Sequence, residues 1–215
     1  MAGRTATSRA SVSIDVVLFT CHERRLRVLV ESSGSQRTSL PWGPLSRSEA
    51  LDAAAARIAR RSAGAIPEWM EQVGAFTEGT THPSGASLSV GYVGVRPWID
   101  RFSWQDATSL SNLAERQRHM VTTGLVAIRA RLEQQPIAFA MLPREFTLSD
   151  LQATYETILA RRLHKASFRR ALQAAFLVEP TGEQRGEGRG RPAQLFRFAP
   201  RRRKSARRGV RLDLL

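Results

Sequence analysis

Five residues near the C-terminal end have the types and spacing of a base-reading surface: Lys165, Ser167, Arg169, Arg170 and Gln173. On a helix at about 100° per residue, Phe168, Leu172, Ala175 and Phe176 share one apolar stripe, which leaves those five on the outer faces. An arginine can hold guanine by two hydrogen bonds and a glutamine can hold adenine, while lysine and serine reach phosphate or base. Glycines flank a following run that contains Arg185, Arg189 and Arg191. A basic loop between two strands suits a phosphate backbone or a minor groove. Metal and thiol chemistry find less support. Cys21 is the single cysteine, which excludes an internal disulfide framework, and His22, His82, His119 and His164 have no metal-ligand spacing.

The elements that must position these residues follow from pattern. Val12–Thr20 and Leu26–Glu31 read as a β-hairpin across the charged turn CHERR. An alanine-rich helix opens at Ser48 and Glu49 and stops at Gly64. Residues 71–77 and 86–96 read as strands, 96–106 as irregular, and a second helix lies near 111–133, ended by Pro136. The order β-β-α-β-β-α predicts a layered domain with both faces of its sheet covered. Thr147 or Ser149 then caps a helix bearing Leu151, Tyr155, Ile158 and Leu159. The turn RRLHK, the helix of the first paragraph and a basic-tipped hairpin complete a winged-helix layout. Residues 1–10 and 200–215 read as loose tails.

Charge supports this division. The chain has 215 residues and a formal net charge of +14 from 33 Lys+Arg and 19 Asp+Glu. Residues 144–215 hold 17 of the basic and 7 of the acidic residues, so a third of the chain carries most of the excess. Such asymmetry points to a polyanion held at one end. No apolar stretch approaches the ~18 residues of a membrane span, and Asp15 interrupts the first apolar run, so a signal peptide is not expected and the cytoplasm is.

A second constellation precedes the alanine-rich helix. Gly43 is followed after five residues by Glu49, after seven by Arg57, and after six more by Gly64. This frame resembles the Nudix box, G-x5-E-x7-R-E-U-x-E-E-x-G-U with U apolar. The box is a loop–helix–loop whose glutamates hold magnesium ions against a diphosphate. Here Ile58 stands at the first metal glutamate, and Arg61 and Ser62 stand at the paired ones. An arginine repels the metal and an isoleucine offers it no oxygen. Glu49 and Arg57 are left to brace the loop, and the spacing of Glu68, Glu71 and Glu78 argues for no substitute set. Neither a metal nor another cofactor is expected.

The whole chain is similar to the NrtR-type transcription regulators. The similarity lies in LPREFTLSDLQATYETILARRLHKASFRRALQ and GRGRPAQLFRF, against that family's LP-x-x-FTL-x-x-LQ-x-x-YE-x-IL, FRR helix and GRPA-x-L-Y-RF wing strand. The resemblance implies an α+β protein. A Nudix-like α/β/α sandwich over 11–136 is followed by a winged helix-turn-helix over 137–199, with tails at 1–10 and 200–215. It further implies a homodimeric repressor on a double-stranded DNA operator, an effector of the ADP-ribose type, and control of NAD metabolism or sugar use. THPSG at 81–85 replaces the family's RDPRG-like turn, and Glu115, Arg116 and Gln117 replace its FDH-like triplet, which leaves the effector's identity open. The competing reading is a hydrolase of nucleoside diphosphate derivatives with an accessory basic domain. A third is a nucleoid protein without sequence preference.

Overall fold

A computed structural model describes residues 11–32, 38–77, 82–186, 192–199 and Val210. In chain order the first part contains β1 (Val12–His22), β2 (Arg25–Leu29), β3 (Glu31–Ser32), β4 (Thr38–Ser39), β5 (Trp42–Pro44), α1 (Leu51–Ala63), β6 (Trp69–Phe76), β7 (Leu88–Val95), β8 (Trp104–Asp106) and α2 (Glu115–Arg131). A 3-10 helix, Ile137–Met141, leads to β9 (Glu145–Phe146), α3 (Leu148–Leu159), α4 (Lys165–Ala175), β10 (Val178–Arg185) and β11 (Ala193–Phe198).

The large sheet has the order β6-β7-β1-β2-β8, with β5 also paired to β1. Its centre is the parallel pair β1–β7; β2, β5 and β6 join antiparallel. Side chains alternate across a strand, and β1 uses both faces. Ile14, Val16 and Leu18 pack with Ala54, Ala55, Ile58 and Ala59 of α1. Val17 and Phe19 pack with Met120, Val121 and Ile128 of α2 on the other side. The expected sandwich is therefore present. Gly124 lets α2 approach closely: a Cβ there would come within 3.1 Å of the Val93 side chain.

Several boundaries differ from expectation. Helix α1 begins at Leu51 rather than Ser48 or Glu49, with Ala50 at its N-cap. The Glu49 carboxylate accepts the Ser46 amide and so holds the turn before the helix. At the other end Gly64 takes φ 77° and donates its amide to the Arg60 carbonyl, as a left-handed C-cap does. Residues 96–106, read as irregular, contain the short edge strand β8.

In the C-terminal part, Thr147 caps α3 in a reciprocal box with Asp150. Leu151, Tyr155 and Ile158 are fully buried, and α4 contributes Phe168 and Leu172 to the same core. β10 and β11 form the wing, and β9 extends it to three strands. The expected stripe on α4 fails at its end. Phe176 is 40% exposed with φ 53°, because the helix stops at Ala175 and Leu177 turns inward instead.

One apolar cluster runs from the α2 face of the large sheet through Leu132, Ile137 and Phe139 into Phe146, Tyr155 and Phe168. Cys21 of β1 meets Met141 of the 3-10 helix at 3.5 Å. Val210 also joins this cluster, fully buried, so at that residue the expectation of a loose tail fails. The rest of 200–215, and all of 1–10, lie outside the described residues. No described helix is long and apolar enough to cross a membrane.

Candidate nucleic-acid interface

Helix α4 presents Lys165, Arg169, Arg170 and Gln173 as exposed side chains, outside the buried stripe of Phe168 and Leu172. Ser167 is half-buried, with His164 Nδ1 at 3.2 Å and an Arg170 nitrogen at 3.5 Å from its hydroxyl. The five residues singled out in the sequence thus share one short helix. Wing residues Arg189 and Arg191 lie outside the described residues. Arg185, at the end of β10, donates to Asp150 at 2.8 Å. Asp150 also accepts the Thr147 amide at 2.9 Å, so one carboxylate joins the wing to the start of α3. A charge-assisted bond at a helix N-terminus is favoured twice over, by the pair and by the helix dipole.

The loop–helix frame is also assembled. Arg57 donates from Nε and a terminal nitrogen to the two oxygens of Glu49, each at 2.8 Å, and reaches the Pro44 carbonyl at 3.1 Å. The Arg57 hydrogen bonds hold the Glu49 carboxyl down at about 2. Ile58 is fully buried, and its Cδ1 would lie 3.3 Å from a Cβ at Gly43. Arg61 donates to the Trp42 carbonyl at 2.8 Å and faces Glu31 at 3.6 Å. Half-buried Ser62 follows it, and Gly64 ends the helix. Glu71, at a distance from this helix in sequence, is clamped by Arg131. Among the described residues no three His, Cys, Asp or Glu side chains are grouped to hold a metal.

Sequence reasoning missed a buried polar group at the heart of the large sheet. Asp15 Oδ1 accepts from Gln117 Nε2 at 2.8 Å and lies 2.7 Å from His82 Nε2; Oδ2 accepts from Ser13 at 2.9 Å. The Ser84 amide meets His82 Nδ1 at 3.1 Å, so the imidazole carries its proton on Nε2 and donates it to Asp15. Gln117 in turn accepts the Leu40 amide, and Arg116 donates to the Ala86 and Thr77 carbonyls. The two segments that depart from the family pattern, THPSG and Glu115–Gln117, are therefore joined through one carboxylate. The signal available in sequence was Asp15 itself, a charge inside an otherwise apolar central strand.

Comparison with known proteins gives a consistent picture. The model of the NrtR DNA-binding winged helix domain matches residues 138–198. The chain is 26% identical over 205 residues to the ADPR responsive transcriptional repressor NtrR of Acinetobacter baylyi, covering 87% of this chain and 82% of that one. The structure of Shewanella oneidensis NrtR complexed with a 27mer DNA superposes with a TM-score of 0.77 at 24% identity, over 93% of this chain and 98% of the other. A MutT/nudix family protein from Enterococcus faecalis gives 0.66 at 17% identity, over 90% and 89%. Residues 138–198 thus match the NrtR DNA-binding winged helix model, and the chain has the fold of these structures, a Nudix-like domain followed by a winged helix.

Proposed function

We propose that this chain is a DNA-binding transcriptional regulator, a repressor, whose Nudix-like domain senses a small effector of the ADP-ribose type. The observation that carries the reading is helix α4: a buried apolar stripe seats it, and Lys165, Arg169, Arg170 and Gln173 stand exposed within a domain that matches the NrtR DNA-binding model. Arg189 and Arg191 of the wing supply backbone contacts. The effector class rests on the Acinetobacter baylyi relative, which is named for its response to ADPR. Control of NAD metabolism belongs to the same proposal, as does a cytoplasmic location.

The Nudix-like domain is catalytically inactive in this reading. The positions that would gather magnesium hold Ile58, buried; Arg61, bonded to a backbone carbonyl; and Ser62. Homodimerisation through the Nudix-like domain leaves the winged helices free to meet two half-sites about one helical turn apart.

The test is selection of duplexes from random-sequence DNA, followed by binding with and without ADP-ribose. A recovered palindromic site, released by ADP-ribose, is the expected result. Turnover of ADP-ribose with magnesium at about 1 per second, with no preferred duplex, would establish the hydrolase reading instead.

A further inference from the structure

A cavity of about 580 Å³ opens at the seam between the two domains, and none of the residues of the two constellations described above is in its lining. Its walls include Arg24 and Arg25 from the β1–β2 turn, Arg129 from α2, and Arg161 and Arg162 from the turn before α4. Among the described residues two carboxylates, Asp106 and Glu156, share it. These described lining residues thus carry an excess of three positive charges.

The two carboxylates are already engaged. Glu156 Oε1 accepts Gln152 Nε2 and the Leu163 amide, each at 3.0 Å. Its Oε2 faces both Arg24, at 3.4 Å, and Arg162, at 3.5 Å. Asp106 Oδ1 accepts the amide and hydroxyl of Thr108, and Arg25 stands 3.4 Å from Oδ2. Arg129 uses Nε on the Ile158 carbonyl at 2.7 Å. Arg161 has no hydrogen-bond or ion-pair partner among the described residues. Loose pairings of this kind leave guanidinium forks open, and such forks match phosphate oxygens in pairs.

The backbone gives an independent sign. A two-residue hairpin turn with both residues at positive φ is usually built from Asn and Gly. Here Glu23 has φ 49° and Arg24 has φ 58°. Ala160, at the end of α3 and also in the cavity wall, has φ 54°. Strained non-glycine residues gathered at one place point to a use for the side chains they present, and at Arg24 that side chain faces the seam.

We propose that this seam is a binding site for a phosphate or diphosphate group, held by Arg24, Arg25, Arg129, Arg161 and Arg162. Its walls come from both domains, so occupancy and DNA binding influence each other reciprocally. The group is either free, on a small molecule, or part of the DNA backbone beside the operator, and experiment separates the two.

The full-length protein is titrated calorimetrically with inorganic pyrophosphate at low salt, alongside Arg24→Gln and Arg161→Gln. The second variant breaks no hydrogen bond or ion pair described above and guards against a folding defect. The same proteins are titrated with salt on a selected duplex. Pyrophosphate binding that weakens about tenfold in each variant supports a free ligand. No pyrophosphate binding, with a salt dependence of DNA affinity shallower by about one unit of slope per arginine replaced, assigns the site to backbone phosphate. Pyrophosphate binding untouched by both substitutions places the anion elsewhere and overturns the proposal. So does the absence of any pyrophosphate binding together with an unchanged salt slope. The pyrophosphate arm needs no DNA, so its outcome is distinct from that of the regulator reading.

Discussion

Arg57 grips Glu49 by both oxygens, and that single pair makes a pH prediction. Glu49 is lowered from 4.5 to about 2 in the folded chain. A depressed carboxyl contributes stability above its unfolded value, and the contribution disappears as pH falls through the folded one. Glu49→Gln is therefore expected to lower the thermal midpoint at pH 6, and the difference from the parent is expected to shrink steadily from pH 5 toward pH 2. Melting curves across that range check it; a gap independent of pH would mean that the pair does not brace the loop. Arg169→Ala with Arg170→Ala is expected to remove discrimination between a selected duplex and a random one, at about 1–3 kcal/mol for each base no longer read. Replacing Arg201, Arg202 and Arg203 by Gln should weaken binding to both duplexes alike. Substitution is preferable to truncation after Phe198, because truncation also removes buried Val210. At this scale the sequence is legible where periodicity governs, as on α4. It is opaque where partners are distant: His82 and Gln117 meet Asp15 across 67 and 102 residues.

Elements differ in how plainly they were written. Helix α1 has a run of alanines and a stopping glycine, and its body was evident. Its start was not, because Glu49, read with Ser48 as opening the helix, is used by Arg57 and by the Ser46 amide. β5 and β8 have three residues each, too few for any alternation to register. The start of α3 is the firmest local signal, since Thr147 and Asp150 satisfy each other's amides. Thr147→Ala should cost about 1 kcal/mol of unfolding free energy. Asp150→Ala should cost more, because it also releases Arg185 of the wing, and it should reduce DNA affinity where Thr147→Ala leaves it largely intact. Denaturant melts together with binding curves on the two variants separate the cap from the wing contact.

For the molecule as a whole, composition and charge indicated two modules, and the packing adds that their interiors are continuous. Phe139 lies at the junction, with ring centroids 5.8 Å from Phe146 and 4.7 Å from Phe198. Phe139→Ala should remove about 3–5 kcal/mol, and the parent chain should unfold in one calorimetric transition. Two separate transitions in the parent would show that the domains are energetically independent. The junction also contains its own reporter. The thiol of Cys21 is packed against Met141, and burial pushes it up to about 12. Only the thiolate attacks a disulfide or maleimide reagent, so in the closed molecule this half-buried cysteine reacts slowly. Because it is the chain's single cysteine, the rate at which such a reagent modifies the protein is a clock for the parting of the two domains. Any ligand that tightens or loosens the junction will change the clock's speed, with no residue to mutate.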